Sequence, residues 1–407
     1  MQRWIWFTVI LNILTVVYFF QAIKHKDSSK NKLIKRVYFS ITLSLVALFY
    51  LGFMAYRSDY KVFSSWAIGT GLSLYVGALI GSLPILIDDI RRLFILVFRQ
   101  FKKPSNPSEN GISRSVFLKR SALALGGLFT SLLLNGMIRG RHNYQKHIVD
   151  VKWPRHEGKP PLKVVQISDF HLGSFTSSEP IQEIVDLINA EDPDLILFTG
   201  DLVNDFTDEA LPYQDILVNL NARIGKFSVL GNHDYGDYAI KKDTPEGKQQ
   251  WDENRANMLE FHKNIGFDLL LNENRTIQHQ GESFNLVGVE NWGAGRWTKY
   301  GDLEKALSAT QPELPTILMS HDPSHWRAQI IPHQNPVDIT LSGHTHGMQF
   351  GIEIPGFKWS LVQYKYPEWA GLYEKENQMI YVNRGVGYVG YPGRVGIMPE
   401  ITVMTIS

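Results

Sequence analysis

Residues 164–173 read Val-Val-Gln-Ile-Ser-Asp-Phe-His-Leu-Gly, a short apolar run that ends in an aspartate and a histidine two positions apart. Four more mostly apolar runs, each followed within two residues by Asp, Asn or His, lie at 195–199, 227–230, 317–320 and 339–342. Short runs of this kind, bounded by turn residues, are typical of buried β-strands. Residues 180–190, between the first two runs, have the apolar spacing of an amphipathic helix. The alternation of strand and helix predicts an α/β layered sheet.

The polar residues that follow these runs are candidate metal ligands. They form five groups: Asp169-Phe170-His171, Gly200-Asp201, Gly231-Asn232-His233-Asp234, Ser320-His321-Asp322 and Gly343-His344-Thr345-His346. A single Asp-x-His or His-x-His is more often a surface or capping detail than a ligand. Ligands in open α/β sheets collect at the carboxyl ends of strands, so five groups after five strands favour a metal centre.

The ligand types narrow the choice of metal and of chemistry. The chain contains no cysteine, which excludes a disulfide framework, a Cys-ligated zinc site and a thiolate nucleophile. Imidazole and oxygen ligands suit Mn²⁺, Fe, Zn²⁺ or Co²⁺ better than Mg²⁺ or Ca²⁺, which prefer oxygen ligands throughout. The residues leave the choice among these four metals open.

The ordered set of groups resembles the motifs of the calcineurin-like metallophosphoesterases over roughly Leu162 to Ser407. The variants at 168–173, 343–347 and 383–387 look most like the exported, membrane-associated bacterial phosphodiesterase branch. The resemblance implies a layered β-sandwich flanked by helices, hydrolysis of a phosphoester and two divalent metal ions as cofactors.

The resemblance also implies a role for each ligand. The expected metal ligands are Asp169, His171 and His346 for one ion, Asn232, His321 and His344 for the other, and Asp201 as the bridge between them. A metal-bound hydroxide would attack phosphorus in line. His233 is the candidate general acid that protonates the leaving-group oxygen, and the alternative is a histidine that only hydrogen-bonds the neighbouring loop.

The sequence departs from the family pattern three residues after the bridging aspartate. Many members have an Asp there that orients the catalytic His, and protein phosphatases follow it with a phosphate-binding Arg. This chain has Asn204 and Asp205 instead. We therefore expect a weaker acid unless Asp205 or Asp234 substitutes, and we expect diesters to be preferred over monoesters, because no guanidinium holds a phosphate dianion. Asn204 and Arg296 are candidate substrate contacts.

Charge divides the chain into two parts although its formal net charge is only +1. Residues 1–150 contain 20 Lys and Arg against 6 Asp and Glu, and the remainder contains 21 against 34. The acidic second part repels nucleic acid, so cleavage of long nucleic-acid polymers is disfavoured.

The first part contains apolar runs that approach or exceed the roughly 20 residues a membrane-spanning helix needs. We expect about four spans, near residues 4–23, 37–56, 62–87 and 121–138. These runs predict an all-α multi-pass anchor in the cell membrane over residues 1–140, a linker over 141–161 and the catalytic domain over 162–407. Lys and Arg concentrate in 24–36 and 90–120, which are therefore expected in the cytoplasm. That orientation places the catalytic domain outside.

The sequence thus predicts a membrane-anchored two-metal phosphoesterase that hydrolyses a phosphodiester or pyrophosphate. The anchor and two aromatic loops, near 292–300 and 357–373, suggest a lipid-linked substrate. The alternative is a membrane sensor or scaffold whose metal domain binds a phosphorylated ligand without turnover, for which Asn204 and Asp205 are the support. A transporter is disfavoured because the spans contain almost no internal charge.

Overall fold

The computed structural model describes residues 2–24, 28–55, 61–98, 114–153, 158–295 and 298–407. The chain forms two compact units, Met1–Ile138 and Arg139–Ser407. Over the described residues, the first unit consists of four helices: α1 (Gln2–Ile23), α2 (Ser28–Ala55), α3 (Lys61–Val97) and α4 (Arg114–Ile138).

The helices of the first unit have the composition of a membrane region. Three described stretches are long and apolar enough to cross a membrane, namely Lys30–Gly52, Val62–Val97 and Ser115–His142. The apolar segment found in α1, Asn12–Ile23, is shorter than a span. The predicted all-α membrane region is therefore confirmed, with three spans by this measure among the described residues.

Small residues allow α3 and α4 to pack closely. A Cβ atom added to Gly81 on α3 would lie 2.7 Å from the carbonyl oxygen of Ala122 and 3.0 Å from the Cα atom of Gly126 on α4. Close backbone approach at small residues is how helices associate in lipid, where apolar burial gives no driving force. The small residues of the fourth apolar run thus serve helix packing.

The second unit is built mainly from strands. Its strands are β1 (Gln145–Val151), β2 (Leu162–Ile167), β3 (Leu195–Phe198), β4 (Gly225–Ser228), β5 (Asp268–Leu269), β6 (Glu273–His279), β7 (Glu282–Val289), β8 (Thr316–Ser320), β9 (Ile339–Ser342), β10 (Gly351–Ile354), β11 (Phe357–Ser360), β12 (Gly371–Lys375), β13 (Gln378–Val382) and β14 (Glu400–Ile406). Its helices are α5 (Glu179–Asn189), α6 (Gln214–Leu217), α7 (Pro245–Asn264) and α8 (Leu303–Leu307).

Two six-stranded mixed sheets form the sandwich. The first has the order β1-β14-β2-β3-β4-β5, and the second has the order β12-β13-β9-β8-β7-β6. Strands β2 to β5 run parallel in the first sheet, and β13, β9, β8 and β7 run parallel in the second. Strands β10 and β11 form a separate two-stranded hairpin.

Burial on both faces explains why the strands read as continuous apolar runs. In β2, Val164 contributes to the core between the sheets, whereas Val165 and Ile167 belong to the core that includes α5. In β3, Leu197 contributes to the core between the sheets, and Ile196 belongs to the core that includes α5. Alternate side chains of a strand point to opposite faces, so a strand covered on both sides needs apolar residues throughout.

The predicted elements of the catalytic domain are confirmed. The five apolar runs correspond to β2, β3, β4, β8 and β9. The helix predicted over 180–190 is α5, and its residues Ile181, Ile184, Val185 and Ile188 are all buried. The α/β sandwich flanked by helices is therefore the observed fold.

The stretch 141–161, expected to be a linker, instead contains β1. This strand pairs in parallel with β14 from Gln145 opposite Glu400 to Val151 opposite Ile406. Most of its side chains are exposed or half-buried, because it is the edge strand of the first sheet. An edge strand with the polar sequence Gln-Lys-His-Ile-Val-Asp-Val lacks the apolar signal that identified the central strands.

Candidate metal centre

The loops after five strands bring all the predicted ligand groups together. The groups follow β2 (Asp169 and His171), β3 (Asp201), β4 (Asn232 and His233), β8 (His321) and β9 (His344 and His346). Three sets have ligand atoms within 4.8 Å of one another: Asp169, His171 and His346; His171, Asp201 and His233; and Asp201, His321 and His344. His171 and Asp201 each belong to two sets, so the sets are adjacent.

The first predicted metal set is tightly clustered. His346 Nε2 lies 3.1 Å from Asp169 Oδ1 and 3.1 Å from His171 Nε2. His171 Nε2 lies 3.5 Å from Asp201 Oδ2. Two imidazole nitrogens that face each other at this distance need a proton or a cation between them. A divalent ion would be held here by these three side chains together with Asp201.

The second predicted set meets on the other side of Asp201. His321 Nε2 lies 3.1 Å from Asp201 Oδ2 and 3.3 Å from His344 Nδ1. The backbone N–H of His233, the residue after Asn232, donates to Asp201 Oδ1 at 2.9 Å. Asp201 thus lies close to histidines of both predicted sets, His321 and His171.

Asn232 supplies a test of whether a metal ion fits. Its Nδ2 donates to the Tyr238 hydroxyl at 2.9 Å, but its Oδ1 is buried and has no hydrogen-bond partner among the described residues. A buried polar atom without a partner costs about 1–3 kcal/mol. A divalent cation would satisfy this oxygen. The resemblance to the family had predicted Asn232 as a ligand from its position in the motif. The donor set therefore fits divalent metal binding.

Hydrogen bonds orient the ligating imidazoles. His321 Nδ1 lies 2.7 Å from the Thr199 carbonyl oxygen, which can only accept, so Nδ1 carries the proton and Nε2 is left for a metal. His171 Nδ1 lies 3.0 Å from Asn204 Oδ1 in the same arrangement. Fixing the second nitrogen of a ligating histidine sets its tautomer and its ring orientation.

The backbone at the ligands is strained. Five predicted ligands adopt positive φ angles, which L-residues other than glycine rarely do: Asp169 at 54°, His171 at 51°, Asp201 at 60°, His344 at 72° and His346 at 49°. Such conformations cost of order 1–3 kcal/mol each, and they cluster at functional sites. Their concentration here indicates that the fold holds these side chains for a chemical purpose.

Two glycines allow the loops after β3 and β4 to touch. A Cβ atom on Gly200 would lie 2.4 Å from the backbone nitrogen of Gly231, and a Cβ atom on Gly231 would lie 2.2 Å from Asp201 Oδ1. Gly200 also has a φ of 95°. Any larger residue would push Asn232 and Asp201 apart.

The site favours the protonation states that metal binding requires at His171, His344 and Asp201, but not at His321. Burial lowers the pKa of His171 well below its usual value, with a further contribution from His233, and burial also lowers the pKa of His344. Burial opposes ionisation of Asp201, but His321 and His233 hold its pKa well below the usual range. Burial lowers the pKa of His321, yet Asp201 raises it overall to about 10. A metal ion that binds His321 must therefore displace a proton.

His233 lies beside the metal ligands in a different hydrogen-bond arrangement. Its Nδ1 is 2.6 Å from the backbone carbonyl oxygen of Asn204, and its ring centroid is 4.8 Å from that of His171. Because the carbonyl accepts the Nδ1 proton, Nε2 is the nitrogen available for proton transfer. The neighbouring carboxylate of Asp234 instead accepts backbone N–H bonds from Gly231, Asp201, Leu202 and Val203. Asp234 therefore does not substitute as the partner of His233.

The side chain of Asn204 orients a predicted metal ligand, His171. Its Oδ1 accepts from His171 Nδ1 at 3.0 Å, and its Nδ2 donates to the Ser174 hydroxyl at 3.1 Å. The residue is only 6% exposed, which leaves little of it to touch a substrate. Asn204 thus acts on the metal site through its side chain and on His233 through its backbone. The second candidate substrate contact, Arg296, lies outside the described residues.

Replacing Asn204 by alanine should weaken metal binding about 10- to 100-fold, because His171 loses the acceptor that fixes its tautomer. Competition with a chelator on the full-length protein in detergent measures this affinity. Asn204→Asp keeps an acceptor and should retain most of it, and Asn219→Ala, at an exposed position, is the matched control. An affinity unchanged in Asn204→Ala would contradict the role.

Three residues that contact the ligands escaped the sequence analysis as site residues. The Tyr366 hydroxyl lies 2.8 Å from His344 Nε2, and the Tyr238 hydroxyl accepts from Asn232. Arg394 is fully buried, and its Nη2 lies 3.2 Å from His346 Nδ1. These residues stand outside the five motif groups, and nothing in their local sequence marks them as part of the site.

Both units match families of known proteins. Residues 162–348 match the family described as calcineurin-like phosphoesterase. Residues 2–141 match the family described as probable calcineurin-like phosphoesterase, transmembrane domain. The two matches fall on the two compact units.

Three relatives of known sequence agree with these family matches. The chain is 30% identical over 317 residues to "Uncharacterized metallophosphoesterase YkuE" of Bacillus subtilis (strain 168), covering 73% of this chain and 98% of that protein. It is 29% identical over 315 residues to "Transmembrane protein with metallophosphoesterase domain" of Danio rerio, covering 74% of this chain and 66% of that protein. It is 29% identical over 287 residues to "UDP-2,3-diacylglucosamine pyrophosphatase LpxG" of Chlamydia muridarum (strain MoPn / Nigg), covering 60% and 83%.

These matches agree with the geometry of the site. The ligand groups that the resemblance identified lie together after the carboxyl ends of the strands. The chain covers nearly the whole length of the Bacillus protein at 30% identity. It therefore belongs to the calcineurin-like metallophosphoesterase family, as a metal-dependent phosphoester hydrolase associated with a membrane.

Proposed function

We propose that the chain is a two-metal phosphoesterase that cleaves a phosphodiester or pyrophosphate bond in a lipid-linked substrate. The observation that carries the proposal is the cluster of three adjacent sets of possible metal ligands, two of which contain Asp201. Similarity to a protein named as a pyrophosphatase of a diacylated nucleotide sugar supports a substrate that combines a phosphoanhydride with acyl chains. The membrane helices of the first unit support the same substrate class.

The residues divide the chemistry between binding the metals and moving a proton. Asp169, His171 and His346 would hold one ion, and Asn232, His321 and His344 the other, with Asp201 shared. Two bound divalent ions would supply Lewis-acid activation of water and neutralise charge on the phosphoryl group. His233 donates a proton from Nε2 to the leaving-group oxygen, since its Nδ1 proton is held by the Asn204 carbonyl oxygen.

The residue at position 205 supports diesters over monoesters. Asp205 occupies the place of the phosphate-binding Arg in protein phosphatases. A monoester presents a dianion, which a guanidinium holds bidentately and a carboxylate repels. A diester or a pyrophosphate diester carries a single charge on each phosphorus and is less affected.

The charge of the loops supports a catalytic domain on the outer side of the membrane. Lys and Arg concentrate in residues 24–36 and 90–120, which alternate with the expected outer segments. Basic residues in short loops are retained in the cytoplasm. With the four spans expected from the sequence, which include the shorter apolar segment in α1, this arrangement would place the second unit outside, where it would act on envelope lipids.

The test compares three substrates with full-length protein in detergent and added Mn²⁺. We expect turnover of bis(p-nitrophenyl) phosphate that a chelator abolishes, at least about tenfold slower turnover of p-nitrophenyl phosphate, and faster turnover of a lipid-borne pyrophosphate diester. A monoester preference would overturn the diester assignment. Two bound ions without turnover of any substrate would favour the phosphoryl-binding sensor instead.

A further inference from the structure

Strands β10 and β11 form a hairpin that begins five residues after His346. In the described sheets, these two strands pair with each other and with no other strand. Its register sets Ile352 opposite Trp359 and Ile354 opposite Phe357. Cross-strand partners share a face, and so do residues two apart along a strand. These four apolar side chains therefore lie on one face of the hairpin.

That apolar face points to solvent. Ile352 is 49% exposed, Ile354 is 58% and Phe357 is 52%, whereas Trp359 is half-buried. The turn that follows adds Leu361 at 50% and Tyr364 at 77% exposure. We call these six residues the hairpin face.

The polar face of the same hairpin points into the domain. Glu353 pairs with Arg384, which is itself buried. Lys358 Nζ donates to the carbonyl oxygen of Ala370, and Ser360 Oγ donates to the carbonyl oxygen of Gly347 at 2.8 Å. A sheet on the surface of a soluble domain normally has the opposite arrangement, with apolar residues inward and polar residues outward. The inversion is fixed by specific bonds on the polar face.

Scattered exposed apolar residues are ordinary, but four apolar side chains on one face of a hairpin, followed directly in the sequence by two more exposed ones, indicate a site of interaction. Removing such side chains from water is favourable, so an apolar occupant would stabilise this face. The chain itself identifies that occupant. The second unit starts at the residue after Ile138, the end of α4, whose sequence is long and apolar enough to cross a membrane. A bilayer is therefore always within reach.

The side chains match the boundary between lipid headgroups and acyl chains. Ile352, Ile354, Phe357 and Leu361 are wholly apolar, whereas Trp359 and Tyr364 combine an apolar ring with a polar group. Aromatic residues with a polar end prefer the headgroup level, and aliphatic residues enter the acyl region. We propose that the hairpin face docks on the lipid bilayer and keeps the metal centre at the membrane surface. This inference goes beyond the phosphoesterase proposal and rests on the hairpin, not on turnover.

The absence of cysteine from the sequence permits a direct test with single labels. Full-length Ile354→Cys and Phe357→Cys are labelled with bimane and reconstituted in phosphatidylethanolamine–phosphatidylglycerol vesicles, with or without acyl chains that carry bromine. We expect bromine to quench both labels at least about twofold, because heavy-atom quenching needs contact with the acyl region. Val218→Cys is the control, because Val218 is also exposed and lies far from the hairpin in the sequence. The label at this position should keep its fluorescence. Equal quenching at all three sites overturns the proposal, and so does the absence of quenching at the two hairpin sites. The hairpin labels would not be quenched if a second copy of the chain or another protein covered the hairpin face.

A second variant separates docking from catalysis. The double variant Ile354→Glu, Phe357→Glu should lower turnover of the vesicle-borne substrate at least about tenfold, because two carboxylates are costly at the lipid interface. Turnover of bis(p-nitrophenyl) phosphate in detergent should stay within twofold of the unaltered protein, which excludes misfolding. The control Leu211→Glu, Val218→Glu places the same charges on another exposed apolar pair. Unchanged turnover on vesicles in the hairpin variant contradicts the inference. If the unaltered protein shows no turnover of any substrate, the phosphoesterase proposal fails. The quenching experiment still tests membrane docking in that case.

Discussion

Asp201→Asn should lower diester turnover at least about 1,000-fold, which corresponds to about 4 kcal/mol of transition-state stabilisation. The carboxylate lies 3.1 Å from His321 Nε2 and 3.5 Å from His171 Nε2, between the two predicted ligand sets. An amide of the same shape loses the negative charge and one of the two bridging oxygens. Both ions would then be bound less tightly, and the metal ions would place less positive charge next to the phosphoryl group.

The measurement for Asp201→Asn is metal content by mass spectrometry together with turnover, both on the full-length protein. We expect fewer than two bound ions per chain where the unaltered protein holds two. Asp215→Asn removes an exposed carboxylate outside the ligand groups and should leave both quantities unchanged. Full activity with two ions bound in Asp201→Asn would refute the bridging role.

His233→Ala should lower turnover about 10²- to 10⁴-fold for a diester whose leaving group is an ordinary alcohol. The loss should be much smaller for bis(p-nitrophenyl) phosphate, because p-nitrophenolate leaves without a proton. This dependence on the leaving group distinguishes a general acid from a residue that only supports the loop. A structural defect would lower the turnover of both substrates by the same factor.

Two controls sharpen the result for His233. Metal content should stay at the value of the unaltered protein, since His233 is assigned to neither predicted ligand set. His279→Gln alters a histidine on β6, a strand that carries none of the predicted ligands, and should change neither substrate's turnover. An equal loss on both substrates would assign His233 to loop structure, as the alternative in the sequence analysis held.

The structure differs from the sequence-based expectation in the hydrogen-bond partner of His233. The expectation was that Asn204 weakens the acid because its side chain replaces a carboxylate. In the structure, the side chain turns to His171, and the backbone carbonyl oxygen of Asn204 accepts from His233. A backbone carbonyl is present whatever the residue, so the substitution at 204 changes the metal site more directly than the acid.

Five central strands, the helix α5, the apolar helices and the ligand groups of this protein could be predicted from the amino-acid sequence. Each is a local feature: an apolar run fixes a buried strand, and the Asp, Asn or His that follows lies at the strand end because the chain leaves the sheet there. The order of the five groups then sufficed to identify the family.

Which side-chain atoms contact one another depends on the tertiary structure. Four features depend on contacts between separate segments: the pairing of Tyr366 with His344, the hydrogen bond that His171 donates to Asn204, the edge position of β1 and the outward apolar face of the hairpin. Such contacts leave no periodic pattern in the local sequence. They arise because packing two sheets face to face fixes the loops at their ends, and the direction of each side chain follows from that packing.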